Sequence, residues 1–174
     1  MSGKKIQIMG IAPYEGMESI MKKLATRRND FDLTTYVGDF KKGAAIVREM
    51  HSDQYDVIIS RGGTAEMIHE ITNIPVIEIA LSVYDILRAM KLAENYAHRY
   101  AIVGFKGITT PARLLCDLLR YQLDIYTVGS EEEVQMTLKT LKDSGYQMVL
   151  CDMITHTIAK ELELQAILIT SGEE

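Results

Sequence analysis

The sequence predicts an α/β protein of two tandem lobes, each built on a four-stranded parallel sheet, with a cleft between the lobes. Short apolar runs alternate with longer segments that carry apolar residues at helical spacing, which favours parallel sheets with right-handed crossovers. The runs are continuous rather than alternating in hydrophobicity, as expected for strands that helices cover on both faces. The pattern of the first half then recurs in the second half.

Eight strands are predicted from these apolar runs. They are Ile6–Ile11, Leu33–Val37, Asp56–Ser60, Pro75–Ile79, Tyr100–Phe105, Leu123–Val128, Met148–Asp152 and Ala166–Thr170. Two of the helices between them show an apolar stripe, formed by Met17, Ile20, Met21 and Leu24 in one and by Leu114, Leu115, Leu118 and Leu119 in the other. The second of these helices is predicted to start at Thr110–Pro111, because proline is favoured at the first helical position.

An internal repeat defines the two lobes. IMGIAPYEGMESIMKKL, from Ile8, aligns with IVGFKGITTPARLLCDL so that Gly10 matches Gly104, and YDVIISRGGTAEMI, from Tyr55, aligns with YQMVLCDMITHTIA. The predicted lobes span residues 1–81 and 99–174. Residues 82–98 are predicted to form a connecting helix with a capping box at its start, Ser82-Val83-Tyr84-Asp85. The alternative is a chance similarity between buried strands.

Composition and charge exclude several classes of protein. A net charge of −5 and a pI near 5.4 argue against a nucleic-acid-binding surface, so no direct DNA contact is expected. Two cysteines provide no disulfide framework. No run approaches the roughly 20 apolar residues of a membrane span. A cytoplasmic chain without membrane contact is therefore expected.

The turn Ser60-Arg61-Gly62-Gly63-Thr64 is the strongest candidate site. In an open parallel sheet, ligands bind beyond the carboxyl ends of the strands. The glycines allow backbone to approach a ligand, the N–H groups of the following helix favour an anion, and Arg61 offers a fork for a carboxylate or phosphate. The alternative is a capped turn in which Thr64 satisfies the helix and Arg61 points into water.

Three other turns contribute candidate ligand contacts. Asp152 and Thr155 follow the seventh strand, where both are also common helix caps. Lys106, Thr109 and Thr110 follow the fifth strand, and Lys106 beside two glycines favours contact with an anion. Tyr14 follows the first strand, where it is available for packing or for a hydrogen bond.

Enzyme signatures are weak in this sequence. Gly38 to Ala45 has the glycine spacing of a phosphate-binding loop, but Ala44 and Ala45 replace its lysine and hydroxyl residue. The four histidines have no metal-ligand spacing, so neither a metal nor another cofactor is expected. The rival hypothesis is an isomerase or lyase of a carboxylate substrate, for which Cys151, Asp152 or His156 would serve as base or nucleophile.

Four segments together resemble the N-terminal receptor domain of propionate-catabolism regulators of the PrpR type. They are DVIISRGGTAEMI, IPVIEIALSVYDILRAM, YAIVGFKGITT and AILITSG. The most specific part is the SRGGT turn followed by S-x-Y-D-I-L, from Ser82. The resemblance implies two tandem α/β/α lobes related to chelatase-like folds.

The resemblance also implies a sensor rather than an enzyme. Such a domain belongs to a sigma-54-dependent activator, binds a small organic acid of the 2-methylcitrate type, and relieves its restraint on an attached AAA+ ATPase. We expect Arg61 to clamp the carboxylate, with Lys106, Thr109 and Thr110 closing from the second lobe and Ser82 contributing from the connecting helix. Because ATPase and DNA-binding motifs are missing from this sequence, it corresponds to an excised domain or a stand-alone sensor. The ligand's identity and any homo-oligomer are left open.

Overall fold

Eight β-strands and seven α-helices alternate in the computed structural model, which describes residues 4–50 and 52–172. The strands are β1 (Ile6–Ala12), β2 (Phe31–Val37), β3 (Val57–Ser60), β4 (Val76–Glu78), β5 (Tyr100–Gly104), β6 (Asp124–Thr127), β7 (Met148–Cys151) and β8 (Gln165–Leu168). The helices are α1 (Glu15–Ala25), α2 (Phe40–Glu49), α3 (Gly62–Ile71), α4 (Val83–Glu94), α5 (Lys106–Leu119), α6 (Glu131–Asp143) and α7 (Met153–Glu161), and a short 3-10 helix, Ser52–Gln54, precedes β3. All eight predicted strands are confirmed, and their ends differ by at most two residues.

The strands form two four-stranded sheets in which every pairing is parallel. The strand orders are β2-β1-β3-β4 and β6-β5-β7-β8, so both sheets have the same topology. Residues 4–79 pack as one unit, called the first lobe below, and residues 80–172 pack as another, called the second lobe. The predicted fold class is confirmed.

The sheet of the first lobe has an apolar core on each face. Ile58 and Ile59 are neighbours in β3 and point to opposite faces. One core contains Met9, Ile11, Val47, Ile58 and Ile68, and the other contains Ala12, Met17 and Met21 with Ile59 packed against them. This two-sided burial explains why the strands read as continuous apolar runs.

The second lobe repeats this arrangement and also contains α4. All four residues of β7 are buried. The helix α4, which was expected to connect the lobes, packs against α5, β7 and β8. Its apolar face contributes Ile86, Met90 and Ala93 to the core of this lobe.

The predicted apolar stripe of α5 is wrong in part. Leu114 and Leu118 are 56% and 71% exposed, and Leu119 is also exposed, whereas Leu115 is 4% exposed. The buried face is formed by Ile108, Thr109, Ala112, Leu115 and Cys116. Several of these residues are small or polar, so the leucines dominated the pattern although most of them lie on the outer face.

The predicted start of α5 is also wrong. The helix begins at Lys106, and Pro111 lies inside it. Pro111 is the sixth residue of α5, beyond the first turn, so the helix lacks the i→i−4 hydrogen bond to the Gly107 carbonyl.

The sheet register corrects the alignment of the repeat around β1 and β5. The Ala12 carbonyl accepts a hydrogen bond from the Gly38 N–H (2.9 Å), and the Gly104 carbonyl accepts one from the Val128 N–H (3.0 Å). Ala12 is therefore the counterpart of Gly104. The glycine match suggested by the sequence, Gly10 with Gly104, is displaced because the sheet pairing rather than the glycines sets the register.

Within the described ranges, every helix is too short or too polar to cross a lipid bilayer.

The two faces of α5 predict a stability contrast. Leu115→Ala should lower the free energy of unfolding by about 2–5 kcal/mol, because it leaves a cavity in a buried cluster. Leu118→Ala removes an exposed side chain and should change it by less than about 0.5 kcal/mol. Urea unfolding of both variants checks this, and equal losses would contradict the assigned buried face.

Candidate functional site

The topology of each sheet defines one crevice at its carboxyl edge. In the order β2-β1-β3-β4, the chain leaves β1 toward one side and β3 toward the other, so a crevice opens where these two strands end. Pro13 and Tyr14 follow β1, and Arg61 and Gly62 follow β3. The strongest candidate from the sequence therefore lies at the switch point of the first lobe.

Arg61 is buried at this switch point. It is only 8% exposed, which contradicts the alternative in which its side chain points into water. Its Nε donates a hydrogen bond to the Ile79 carbonyl (3.1 Å), and its Nη1 donates one to the Tyr14 hydroxyl (3.4 Å). The predicted hydrogen-bonding use of Tyr14 is thereby observed. A cation thus sits at the carboxyl edge, held by the residues that follow β1 and β4.

The start of α3 opens onto space beside Arg61. Gly62 has a φ of +54°, and a Cβ built there would meet no atom within 4 Å. The side chain of Arg61, the N-cap residue of α3, makes no capping hydrogen bond. Because the first N–H groups of a helix carry partial positive charge, the open space lies against a surface that favours an anion.

Thr64 and Ser60 have structural tasks. The Thr64 hydroxyl accepts a hydrogen bond from the Phe40 N–H (2.8 Å), so it secures the start of α2 and does not cap its own helix. The alternative in which Thr64 caps the turn is therefore wrong. The Ser60 hydroxyl donates to the Ile11 carbonyl (2.7 Å) and ties β3 to β1.

The switch point of the second lobe holds a carboxylate that belongs to the protein. Asp152 follows β7, and its two oxygens accept hydrogen bonds from the Thr155 N–H (2.9 Å) and the Phe105 N–H (3.0 Å). A Cβ on Gly104 would lie 3.1 Å from one of these oxygens, so this glycine leaves room for the carboxylate. Burial raises the pKa of Asp152, and the two backbone N–H bonds oppose part of that rise.

The two switch points therefore differ in charge and in donors. Arg61 and Asp152 each follow the third strand of their lobe in chain order. With Ala12 matching Gly104, Pro13 is the counterpart of Phe105, and proline has no N–H to donate. The second lobe supplies both an anion and its donors, whereas the first lobe supplies a cation and a helix start with open space at Gly62.

The remaining predicted contacts of the second lobe differ in exposure. Lys106 and Thr110 are exposed on the first turns of α5. Thr109 is 1% exposed, and its hydroxyl forms a 2.7 Å hydrogen bond with that of Thr127. Thr155 is fully buried, and its hydroxyl finds no hydrogen-bond partner within the part of the chain that the structure describes. The Ser82 hydroxyl accepts from the Asp85 N–H, which confirms the predicted capping box of α4.

Two of the three residues that the rival enzyme hypothesis requires, Cys151 and Asp152, are held in structural positions. Cys151 is 0% exposed, and burial raises the pKa of its thiol well above the ordinary value. Asp152 is committed to two backbone N–H groups. Partial burial, followed by the nearby Lys160, lowers the pKa of His156. Among residues 4–50 and 52–172, no cluster of three acidic, cysteine or histidine residues could hold a metal; His51 lies outside the described residues.

A family model described as PrpR_N, propionate catabolism activator, matches residues 27–174. The chain belongs to this family. The PrpR-type resemblance read from the SRGGT and S-x-Y-D-I-L motifs is confirmed, and so is the coarse prediction of a regulatory domain of a transcriptional activator.

Two solved structures are similar to this PrpR_N domain. An NtrC family transcriptional regulator from Clostridium acetobutylicum is 23% identical with a TM-score of 0.83, and the match covers 97% of this chain and 89% of that chain. A conserved domain protein from Vibrio cholerae O1 biovar El Tor is 11% identical with a TM-score of 0.50, covering 98% of this chain and 76% of that chain. At these identities the likeness concerns the fold.

Two features of this PrpR_N domain were missed by sequence reasoning. The carboxylate of Asp152 was treated as a ligand contact or a simple cap, although it also binds the Phe105 N–H from the start of α5. The Ile79 carbonyl was not considered, although it accepts the hydrogen bond from Arg61. The Asp-x-x-Thr spacing hinted at the cap, but no local pattern indicates the long-range partners.

The burial of both thiols predicts slow modification. Cys116 is 5% exposed and Cys151 is 0% exposed, and burial raises the pKa of each, so at pH 8 less thiolate is present than in a free cysteine. A disulfide reagent such as DTNB should therefore label neither thiol in the native domain. The urea-denatured chain, as the control, should release two equivalents. Rapid native labelling of Cys151 would revive the enzyme hypothesis.

Proposed function

We propose that this PrpR_N domain senses a small organic acid, bound at the carboxyl ends of β1 and β3 with Arg61 as its anchor. It serves in this way as the effector-sensing domain of a sigma-54-dependent activator, and binding relieves restraint on an attached AAA+ ATPase. The single observation that carries the proposal is the buried guanidinium of Arg61 beside the open start of α3 at Gly62.

The second lobe supports the choice of a carboxylate as the ligand group. At its own switch point, the Asp152 carboxylate accepts two backbone N–H groups at the starts of α5 and α7. A free carboxylate beside Gly62 would meet a similar helix start and, in addition, the fork of Arg61. One lobe thus holds a carboxylate of its own at its switch point, and we expect a ligand carboxylate to take the comparable place in the other.

The remaining candidate residues are expected to contribute differently to binding of the acid. The backbone N–H groups of Gly62, Gly63 and Thr64 would donate to the acid beside Arg61. Lys106, Thr110 and the partly buried Asp152 stay hypotheses from the sequence, together with Thr109, Thr155 and Ser82. Of these, Lys106 is an exposed cation at the start of α5.

Signalling requires that the acid discriminate between two states of the domain. A ligand shifts a conformational equilibrium only by the difference between its affinities for the two states. Arg61 provides a basis for such a difference, because its Nε donates to Ile79 and would have to rearrange when a carboxylate takes both arms of the fork.

The first experiment identifies the acid. A thermal-shift screen compares propionate, citrate and 2-methylcitrate, with inorganic phosphate as the probe of generic anion binding. An acid at 100 times its dissociation constant adds about 2.7 kcal/mol to the free energy of unfolding. Absence of any shift up to millimolar concentrations would refute the proposal. Chemical conversion of a bound acid would favour the isomerase or lyase alternative.

Replacing Arg61 provides the decisive variant. Arg61→Gln keeps a donor for the Ile79 carbonyl but removes the charge, and it should weaken binding by roughly 30-fold or more, because loss of a desolvated charge partner costs about 2–5 kcal/mol. Arg28→Gln is the matched control, since Arg28 is exposed and pairs only locally with Asp30. Calorimetry measures both. Wild-type affinity in Arg61→Gln would rule out Arg61 as the anchor.

A further inference from the structure

Asp85 makes more hydrogen bonds than its capping box requires. It is 3% exposed, and its Oδ2 accepts from the Ser82 N–H (3.2 Å), which completes the box. Its Oδ1 accepts from the Gly172 N–H (3.1 Å) and from Arg88 Nη2 (3.1 Å). One carboxylate therefore joins the start of α4 to the last described residue of the chain.

Arg88 strengthens this connection from the next turn of α4. Its Nη2 also donates to the Thr170 carbonyl (3.0 Å). Asp85 and Arg88 together hold residues 170–172 by one backbone N–H and one backbone carbonyl. We call this group of contacts the latch, and it consists of Asp85, Arg88, Thr170 and Gly172.

The segment that enters α4 is fixed at its other end by the candidate site. The Ile79 N–H donates to the Ser60 carbonyl (2.7 Å), and the Ile79 carbonyl accepts from Arg61 Nε (3.1 Å). Only Ala80 and Leu81 separate Ile79 from Ser82, and Leu81 is 6% exposed. This short stretch is held by Arg61 at one end and by Asp85 at the other.

We propose that Asp85 and Arg88 transmit the state of Arg61, through residues 79–82, to the segment 170–172. In its regulatory sense this inference rests on the proposed function, because a bound acid is what would change Arg61. A carboxylate that takes Arg61 Nε competes with the Ile79 carbonyl. Ile79 then loses the hydrogen bond to its carbonyl and keeps the one from its N–H to Ser60, so the segment that supplies Ser82 to the capping box is held less firmly, and the latch loosens its hold on Gly172.

The exchange rate of the Gly172 amide measures the latch without any ligand. Asp85→Asn keeps the size of the side chain but replaces one acceptor by a donor, so Gly172 should exchange with solvent about tenfold faster or more, as expected for a lost hydrogen bond to a charged group. Asp117→Asn, on the exposed side of α5, is the matched control. Hydrogen exchange followed by NMR on the 174-residue chain gives both rates.

The same measurement tests the transmission step. Arg61→Met removes the hydrogen bond from the charged guanidinium to Ile79, and Gly172 should then exchange about tenfold faster, the lower end of the range for a bond with a charged partner. Arg28→Met, in an exposed local ion pair, should leave Gly172 unchanged. The amides of Ile102 and Leu150 must keep their wild-type rates, which separates a local effect from general destabilisation.

Each outcome decides one claim. Unchanged exchange of Gly172 in Asp85→Asn refutes the latch, and unchanged exchange in Arg61→Met refutes transmission. Because these measurements need no ligand, they are independent of the binding experiments. Failure of every acid to bind would refute the proposed function and leave the contacts standing, whereas acid binding to wild type with no response of Gly172 would refute only the regulatory role.

Discussion

A charge at the carboxyl edge of a parallel sheet must be satisfied by the protein itself, and this constraint organises both lobes. Burying an unpaired charge is costly, so each one is found with hydrogen-bonding groups around it. Asp152 accepts two backbone N–H groups at helix starts. Arg61 donates to a backbone carbonyl and to a tyrosine hydroxyl. The two duplicated sheets thus solve the same problem with opposite charges.

The two switch points differ in the charge and the space that they offer to an external anion. In the second lobe, the carboxylate occupies the position where helix N–H groups converge, and an external anion would have to displace it. In the first lobe, a guanidinium takes the corresponding position after the third strand, and Gly62 leaves open space next to it. Two sheets of the same topology therefore carry opposite charges at their switch points.

Much of the fold could be predicted from the sequence because the periodic apolar patterns directly reflect two-sided burial. The strands, their parallel pairing and the capping box at Ser82 all follow from local patterns. The errors arise where a tertiary partner decides the outcome. The exposed leucines of α5 and the buried Leu115 fit the same helical spacing. Spacing alone does not say which face of the helix meets the sheet. The match of Gly10 with Gly104 failed because the sequence alignment followed identical residues, whereas strand pairing sets the register in the structure.

Sequence patterns predicted which candidate residues directly follow a strand, and Arg61 and Asp152 do so. The internal bonds of the candidate site were not predictable, because the partners of Arg61 and Asp152 are backbone groups distant in sequence. Sequence patterns describe side chains, and a carbonyl such as that of Ile79 is present at every position. Deciding which carbonyl accepts from Arg61 requires the packing of β4 beside β3.

The separate cores of the lobes have a consequence for how the molecule denatures. The clusters around Ile58 and Met17 are built only from first-lobe residues, and the cluster around Ile102 only from second-lobe residues. Each lobe therefore has its own source of cooperativity, and melting need not be a single two-state event. A destabilised first lobe would populate a half-folded intermediate whose second sheet persists, and the calorimetric enthalpy would then exceed the van't Hoff value.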